Sequence, residues 1–177
     1  MACPMCRMPH HRLGRRNVLG ALASAPRALR RVVTRASRRR LARRPARREW
    51  SATEVLGHLL DAEVTLAFRV RKLVAEPGGV IVAWDQEKLT DGLRHRRGDA
   101  RTLLDAYAAL RAANVEQVRR RTPAQRSAAG RHPEYGRLRV REMLEHWAEH
   151  DLIHREQIRA WPSAGRGDRP QRSAVIR

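Results

Sequence analysis

Four stretches of this chain repeat apolar residues every three or four positions, the spacing that stacks side chains on one face of an α-helix. The first covers about 17–34, with Leu22, Leu29, Val32 and Val33 inward, and is expected to bend or restart at Pro26, where Ser24 can cap a second start. The second opens at Ser51-Ala52-Thr53-Glu54, a capping box, and carries Val55, Leu59, Ala62, Leu66, Val70 and Leu73. Glu76-Pro77-Gly78-Gly79 stops it. The third follows a capping Asp99 to about Arg121, with Leu103, Leu104, Tyr107, Leu110 and Val118 inward. The fourth runs from about Val140 to Ala160, ended by Pro162, with Val140, Met143, Trp147, His150, His154, Ile158 and Trp161 inward.

The intervals read as connections. Ser37 to Arg48 is Arg-dense, 122–138 bears Gly and Pro, and Val80-Ile81-Val82-Ala83-Trp84 is read as a packed loop in preference to a strand. Four helices of this length predict an all-α, up-and-down-type four-helix bundle over 17–161. A disordered basic extension, 1–16, and a disordered tail, 162–177, flank it. Arg15-Arg16 before the apolar run Val18 to Ala25 resembles a twin-arginine export signal, but that run is short and continues unbroken into the first helical pattern.

Length and charge refine this picture. A chain of 177 residues suits one domain, and no run approaches the roughly 20 apolar residues that span a bilayer. The net charge of +20 invites a nucleic-acid reading, yet it is local. Residues 1–50 hold 15 Arg against one acid, Glu49, whereas 51–161 balance 19 basic residues against 16 acids. Only Lys72 and Lys88 are lysines, an Arg bias that codon usage in a GC-rich genome would also produce. The two cysteines, Cys3 and Cys6, give no disulfide framework, which fits a reducing cytoplasm. With His10 and His11 they offer a small zinc knot as the alternative to an unstructured extension.

The fourth helix carries the chemistry. His150 and His154, four apart, replace apolar residues on a face that must be buried. A buried polar group without a partner costs about 1–3 kcal/mol, so each imidazole needs a carboxylate, a carbonyl or a metal. Two stacked imidazoles can share one ion, and His58, bordering the stripe of the second helix, is placed to be a third ligand with a coordination position left open. Zinc, nickel and iron all suit such a set. Asp61, one turn beyond His58, and Glu149 are the nearby carboxylates for a base or supporting role. His146, one turn before His150, is either a fourth ligand or proton shuttle at the mouth, or a half-exposed flank residue.

Glu49-Trp50-Ser51 leading into Val55-Leu56-Gly57-His58-Leu59-Leu60-Asp61-Ala62-Glu63 resembles the second helix of the DinB/YfiT-like family. Glu142-Met143-Leu144 and Ala148-Glu149-His150-Asp151-Leu152-Ile153-His154-Arg155-Glu156-Gln157-Ile158 resemble its last core helix, and Arg44-Pro45 and Tyr135-Gly136-Arg137-Leu138 also fit. The resemblance covers about 17–160. It implies a dimeric four-helix bundle holding a divalent metal through His58, His150 and His154. Family members resemble metal-dependent hydrolases, thiol transferases using mycothiol or bacillithiol, and a maleylpyruvate isomerase. The resemblance thus implies a small-molecule substrate, with a low-molecular-weight thiol as one cosubstrate class. Arg139 departs from the pattern, standing where a Ser or Thr cap is expected.

Two other classes stay open. The 11 arginines from Arg27 to Arg48 could attach nucleic acid or an acidic partner, although no aromatic residue among them offers a base-stacking platform. The domain could also keep its metal for stability and be catalytically silent.

Overall fold

The computed structural model describes residues 12–14 and 16–160. The expected tail 162–177, the inward Trp161, and Cys3, Cys6, His10 and His11 lie outside them. Helix α1 (Val18–Val33) is capped by the Asn17 side chain, which accepts from Gly20 N. It neither breaks nor restarts at Pro26, and Ser24 only returns a hydrogen bond to the Ala21 carbonyl. Proline cannot donate to the carbonyl four residues back. That carbonyl, on Leu22, instead accepts from Arg111 Nη1 at 3.1 Å, so a side chain from another helix completes the ladder.

Within the Arg-dense connector Ser37 caps a short α2 (Arg38–Ala42). Helix α3 (Ala52–Ala75) starts at the expected capping box, Ser51 with Glu54, and its predicted stripe is buried throughout. Then come α4 (Gln86–Gly92), a 3-10 turn at His95–Arg97, and α5 (Ala100–Arg119), whose cap is Asp99. Val80 to Trp84 is a loop, tied to the later hairpin segment by Ile81 N donating to Arg131 O. The 122–138 connection is more ordered than expected: it holds α6 (Pro123–Ser127) and an antiparallel hairpin, β1 (Ala129–His132) and β2 (Gly136–Arg139). Gly136 takes φ 71° at the hairpin turn. Helix α7 (Val140–Arg159) begins without a Ser or Thr cap; Glu142 accepts from Arg139 N at 2.8 Å and from its guanidinium at 2.9 Å.

The class is the expected all-α four-helix bundle, built from α1, α3, α5 and α7. Helices α1 and α3 each pack on both α5 and α7, so the ring runs α1–α5–α3–α7. The apolar core is in two halves. One joins Leu22, Leu66, Val70, Val115, Met143 and Trp147; the other joins Leu29, Val55, Leu59, Leu104 and Ile158. Following each helix from one half to the other shows that α1 and α7 run one way and α3 and α5 the other. Alternation is therefore not strict, because the long 76–99 connection carries the chain back to the end where α3 began.

Between the two halves lies a polar layer. Arg111 on α5 is buried against Glu63 of α3, with Nε–Oε2 2.8 Å, and against Asp151 of α7. Tyr107 donates to Asp151 at 3.0 Å and Asn114 to Glu63 at 2.7 Å. His58, His150 and His154 sit at the same level of α3 and α7.

The chain is already packed before α1, earlier than an extension ending at 16 implies. Leu13 is buried, and the Arg12 and Leu13 amides donate to the Glu149 carboxylate at 3.0 and 2.7 Å.

Candidate metal centre

Helical spacing puts His150 and His154 one turn apart on α7, and α3 brings His58 to them across the interface. His58 Nε2 lies 3.0 Å from His150 Nε2, which lies 3.1 Å from His154 Nε2. Two nitrogens bound to one tetrahedral ion at 2.0–2.1 Å are separated by about 3.3 Å, so both distances are close to those of ligands to one ion. Among the described residues this is the group whose ligand atoms converge for a metal, all within 4.8 Å.

The surroundings keep the rings neutral. Burial, helped by His154 and His95, holds His58 well below the ordinary imidazole pKa; burial and then His154 do the same for His150. Burial also lowers His154, against the hydrogen bond of Nδ1 to Gln157 Oε1 at 2.7 Å. Neutral imidazoles are what a metal needs. The Nδ1 atoms of His58 and His150 are buried with no hydrogen-bond partner. Without an ion, the facing Nε2 atoms must divide protons and lone pairs among themselves; an ion would use all three lone pairs at once. The donor set fits a divalent cation. Trp84 stacks on His58 with centroids 5.6 Å apart, and Trp50 leans on it at 5.0 Å.

The carboxylates near the cluster have other partners. Asp61 meets His95 Nε2 at 2.6 Å, and Glu149 holds the Arg12–Leu13 turn with both oxygens. Asp151 is taken by Arg111 and Tyr107. Neither Asp61 nor Glu149 is hydrogen-bonded to the imidazoles, so the supporting role expected of them is not reflected in direct contacts. His146 is half-buried, its ring 6.1 Å from that of His150. Sequence reasoning missed Gln157, Trp50, Trp84 and His95. Gln157 had a readable signal, three residues beyond His154 on the same helix; His95 had none, because its position depends on how its 3-10 turn folds over α3.

That turn depends on a glycine. A Cβ on Gly57 would stand 2.2 Å from His95 Cγ. Gly57→Ala is expected to displace His95 from Asp61 and cost about 1–3 kcal/mol, as overpacking does. Thermal unfolding checks this, and a variant as stable as the parent would refute the close packing.

The family model of the DinB superfamily matches residues 21–158. Among solved structures the chain is similar to YfiT from Bacillus subtilis, described as a probable metal-dependent hydrolase with an unusual four-helix bundle topology. The TM-score is 0.73 at 17% identity, over 80% of this chain and 83% of that one. It is also similar to TT2238, described as a four-helix bundle protein, with TM-score 0.56 at 21% identity over 81% and 96%. No curated protein matches the sequence.

Proposed function

The chain belongs to the DinB superfamily, and on that premise we propose that it is a divalent-metal-dependent enzyme acting on a small electrophilic substrate, as a hydrolase or a thiol S-transferase. The observation that carries this reading is the convergence of three imidazole Nε2 atoms from two helices. The description of YfiT as a probable metal-dependent hydrolase supports it. His58, His150 and His154 are the proposed ligands, for zinc, nickel or iron. A divalent ion held by neutral ligands keeps its full charge and supplies Lewis acidity to a water or a thiol.

The chain's own groups position and shield that chemistry. Gln157 accepts from Nδ1–H of His154 and thereby leaves Nε2 as the ligand atom. Trp50 and Trp84 wall the His58 side against water. His146, half-buried with its ring 6.1 Å from that of His150, is the proposed proton carrier. We assign Asp61 and Glu149 positioning roles, through His95 and the Arg12–Leu13 turn. Exposed Val64, Phe68, Val80 and Val82 give the proposed homodimer an apolar surface. No helix among the described residues is long and apolar enough to cross a membrane, and a cytoplasmic setting suits this chemistry.

Elemental mass spectrometry of untagged protein tests the proposal. About one ion per chain, or uptake of one on reconstitution, is expected; neither would leave the imidazoles as core residues. Metal on the protein then justifies screening ester and amide hydrolysis beside thiol transfer.

The metal-free protein should also weaken in acid. All three imidazoles have lowered pKa values in the fold, so below the ordinary value of about 6.5 the unfolded chain binds more protons. Stability is then lost as pH falls through that value. In chelator, the melting temperature should fall between about pH 7.5 and 5.5 by more than it does in a His58→Leu variant. Equal falls would remove the imidazoles as the cause.

A further inference from the structure

A cavity of ligand size lies away from the imidazoles. It has a volume of about 560 Å³ and opens between α1, α2 and α7. Arg31 of α1, Arg35 in the turn after it, Arg40 of α2, and Arg155 and Arg159 of α7 line it, with no carboxylate and no histidine in its wall. Buried Ala28, Leu41, Ala52 and Ile158 form its apolar floor.

Two features make this more than an Arg-rich surface. Arg155 and Arg159 on α7 are an i,i+4 pair, an arrangement that repels by about 0.2–0.5 kcal/mol unless an anion intervenes. Among the described residues no acid pairs with Arg31, Arg35, Arg155 or Arg159, and Arg155 Nε is buried with no hydrogen-bond partner. Arg31 and Arg159 also stand in last helical turns, where cations suit the helix dipole. That accounts for two of the five. It does not account for a cavity of ligand size with an apolar floor and an exclusively cationic rim.

We propose that this cavity binds a small organic anion, a carboxylate, phosphate ester or sulfonate carried on an apolar body. The guanidiniums receive the head through charge-assisted, fork-shaped hydrogen bonds, and the floor takes the body. A nucleic-acid strand fits less well, since the cavity offers no aromatic platform for bases. The proposal does not depend on the metal reading, because no candidate ligand lines the cavity.

Calorimetric titration with naphthalene-1-sulfonate tests it on the full chain. Binding of one molecule per chain is expected, weakened about tenfold or more in Arg31→Gln/Arg35→Gln and for the neutral naphthalene-1-sulfonamide. Arg101→Gln, an exposed arginine on α5 outside the cavity, should bind like the parent. The double variant should keep the parent's metal content and melting temperature, which separates failure here from failure of the metal site. Absence of binding, equal binding of the sulfonamide, or equal binding by a folded double variant overturns the proposal. So does preferential binding of a short single-stranded DNA that the double variant loses, which would make the arginines a nucleic-acid surface.

Discussion

Replacing His150 with alanine is expected to take the metal content from about one ion per chain to near zero. His150 Nε2 is the shared corner of the cluster, 3.0 Å from His58 and 3.1 Å from His154, so its loss leaves two nitrogens that no longer converge through a third. Two imidazoles with no carboxylate in hydrogen-bond contact make a weak site for any first-row ion. Any activity found in a screen should go with the metal. Stabilisation by the metal should disappear as well: an ion at a hundred times its dissociation constant contributes about 2.7 kcal/mol, read as a melting temperature that chelator lowers in the parent and not in the variant. His146→Ala is the companion. It should keep the metal and alter only the pH dependence of turnover. Retention of a full equivalent by His150→Ala, in protein shown by circular dichroism to be folded, refutes the assignment.

The second large effect concerns stability. Arg111→Met should cost about 3–5 kcal/mol, the range for removing one partner of a buried ion pair. Arg111 is 1% exposed and holds Glu63, Asp151 and the Leu22 carbonyl together. Burial disfavours its charge, but Asp151, Tyr107 and Glu63 more than restore it, and the pKa stays well above the ordinary value. Methionine fills much of the volume yet strands two carboxylates in an interior that cannot solvate them. It also reopens the gap that Pro26 leaves in α1. A melting temperature lower by roughly 6–20 °C follows, at 2–4 °C for each kcal/mol. Adding Glu63→Gln and Asp151→Asn should recover part of the loss. A deficit below about 1 kcal/mol would mean that Arg111 contributes little beyond packing.

Arg111 shows where reading the chain runs out. On α5 it occupies the inward face, one turn beyond Tyr107, but an arginine between Leu110 and Ala112 looks the same whether it is solvated or central. Its partners lie on α1, α3 and α7. The same holds for Asp61, which spacing from His58 made a candidate and which His95 claims, and for Glu149, which anchors a turn some 136 residues earlier. Pro26 illustrates the converse: the local rule for a break is sound, and a distant guanidinium removes its consequence.

The helix starts at Ser51 and Asp99, the stripe from Val55 to Leu73, and the stacking of His150 on His154 were legible because each depends on residues within a turn or two. Backbone hydrogen bonds and helical periodicity are local, and the chain states them wherever they occur. The directions of the four helices, the polar layer, the partners of the carboxylates and the Arg-lined cavity come from packing. They depend on which helix faces which, and many arrangements of the same amphipathic helices bury similar apolar area. His58 lies at the boundary between the two. Its place on α3 is in the sequence, but only the docking of α3 against α7 sets its nitrogen within 3.0 Å of His150.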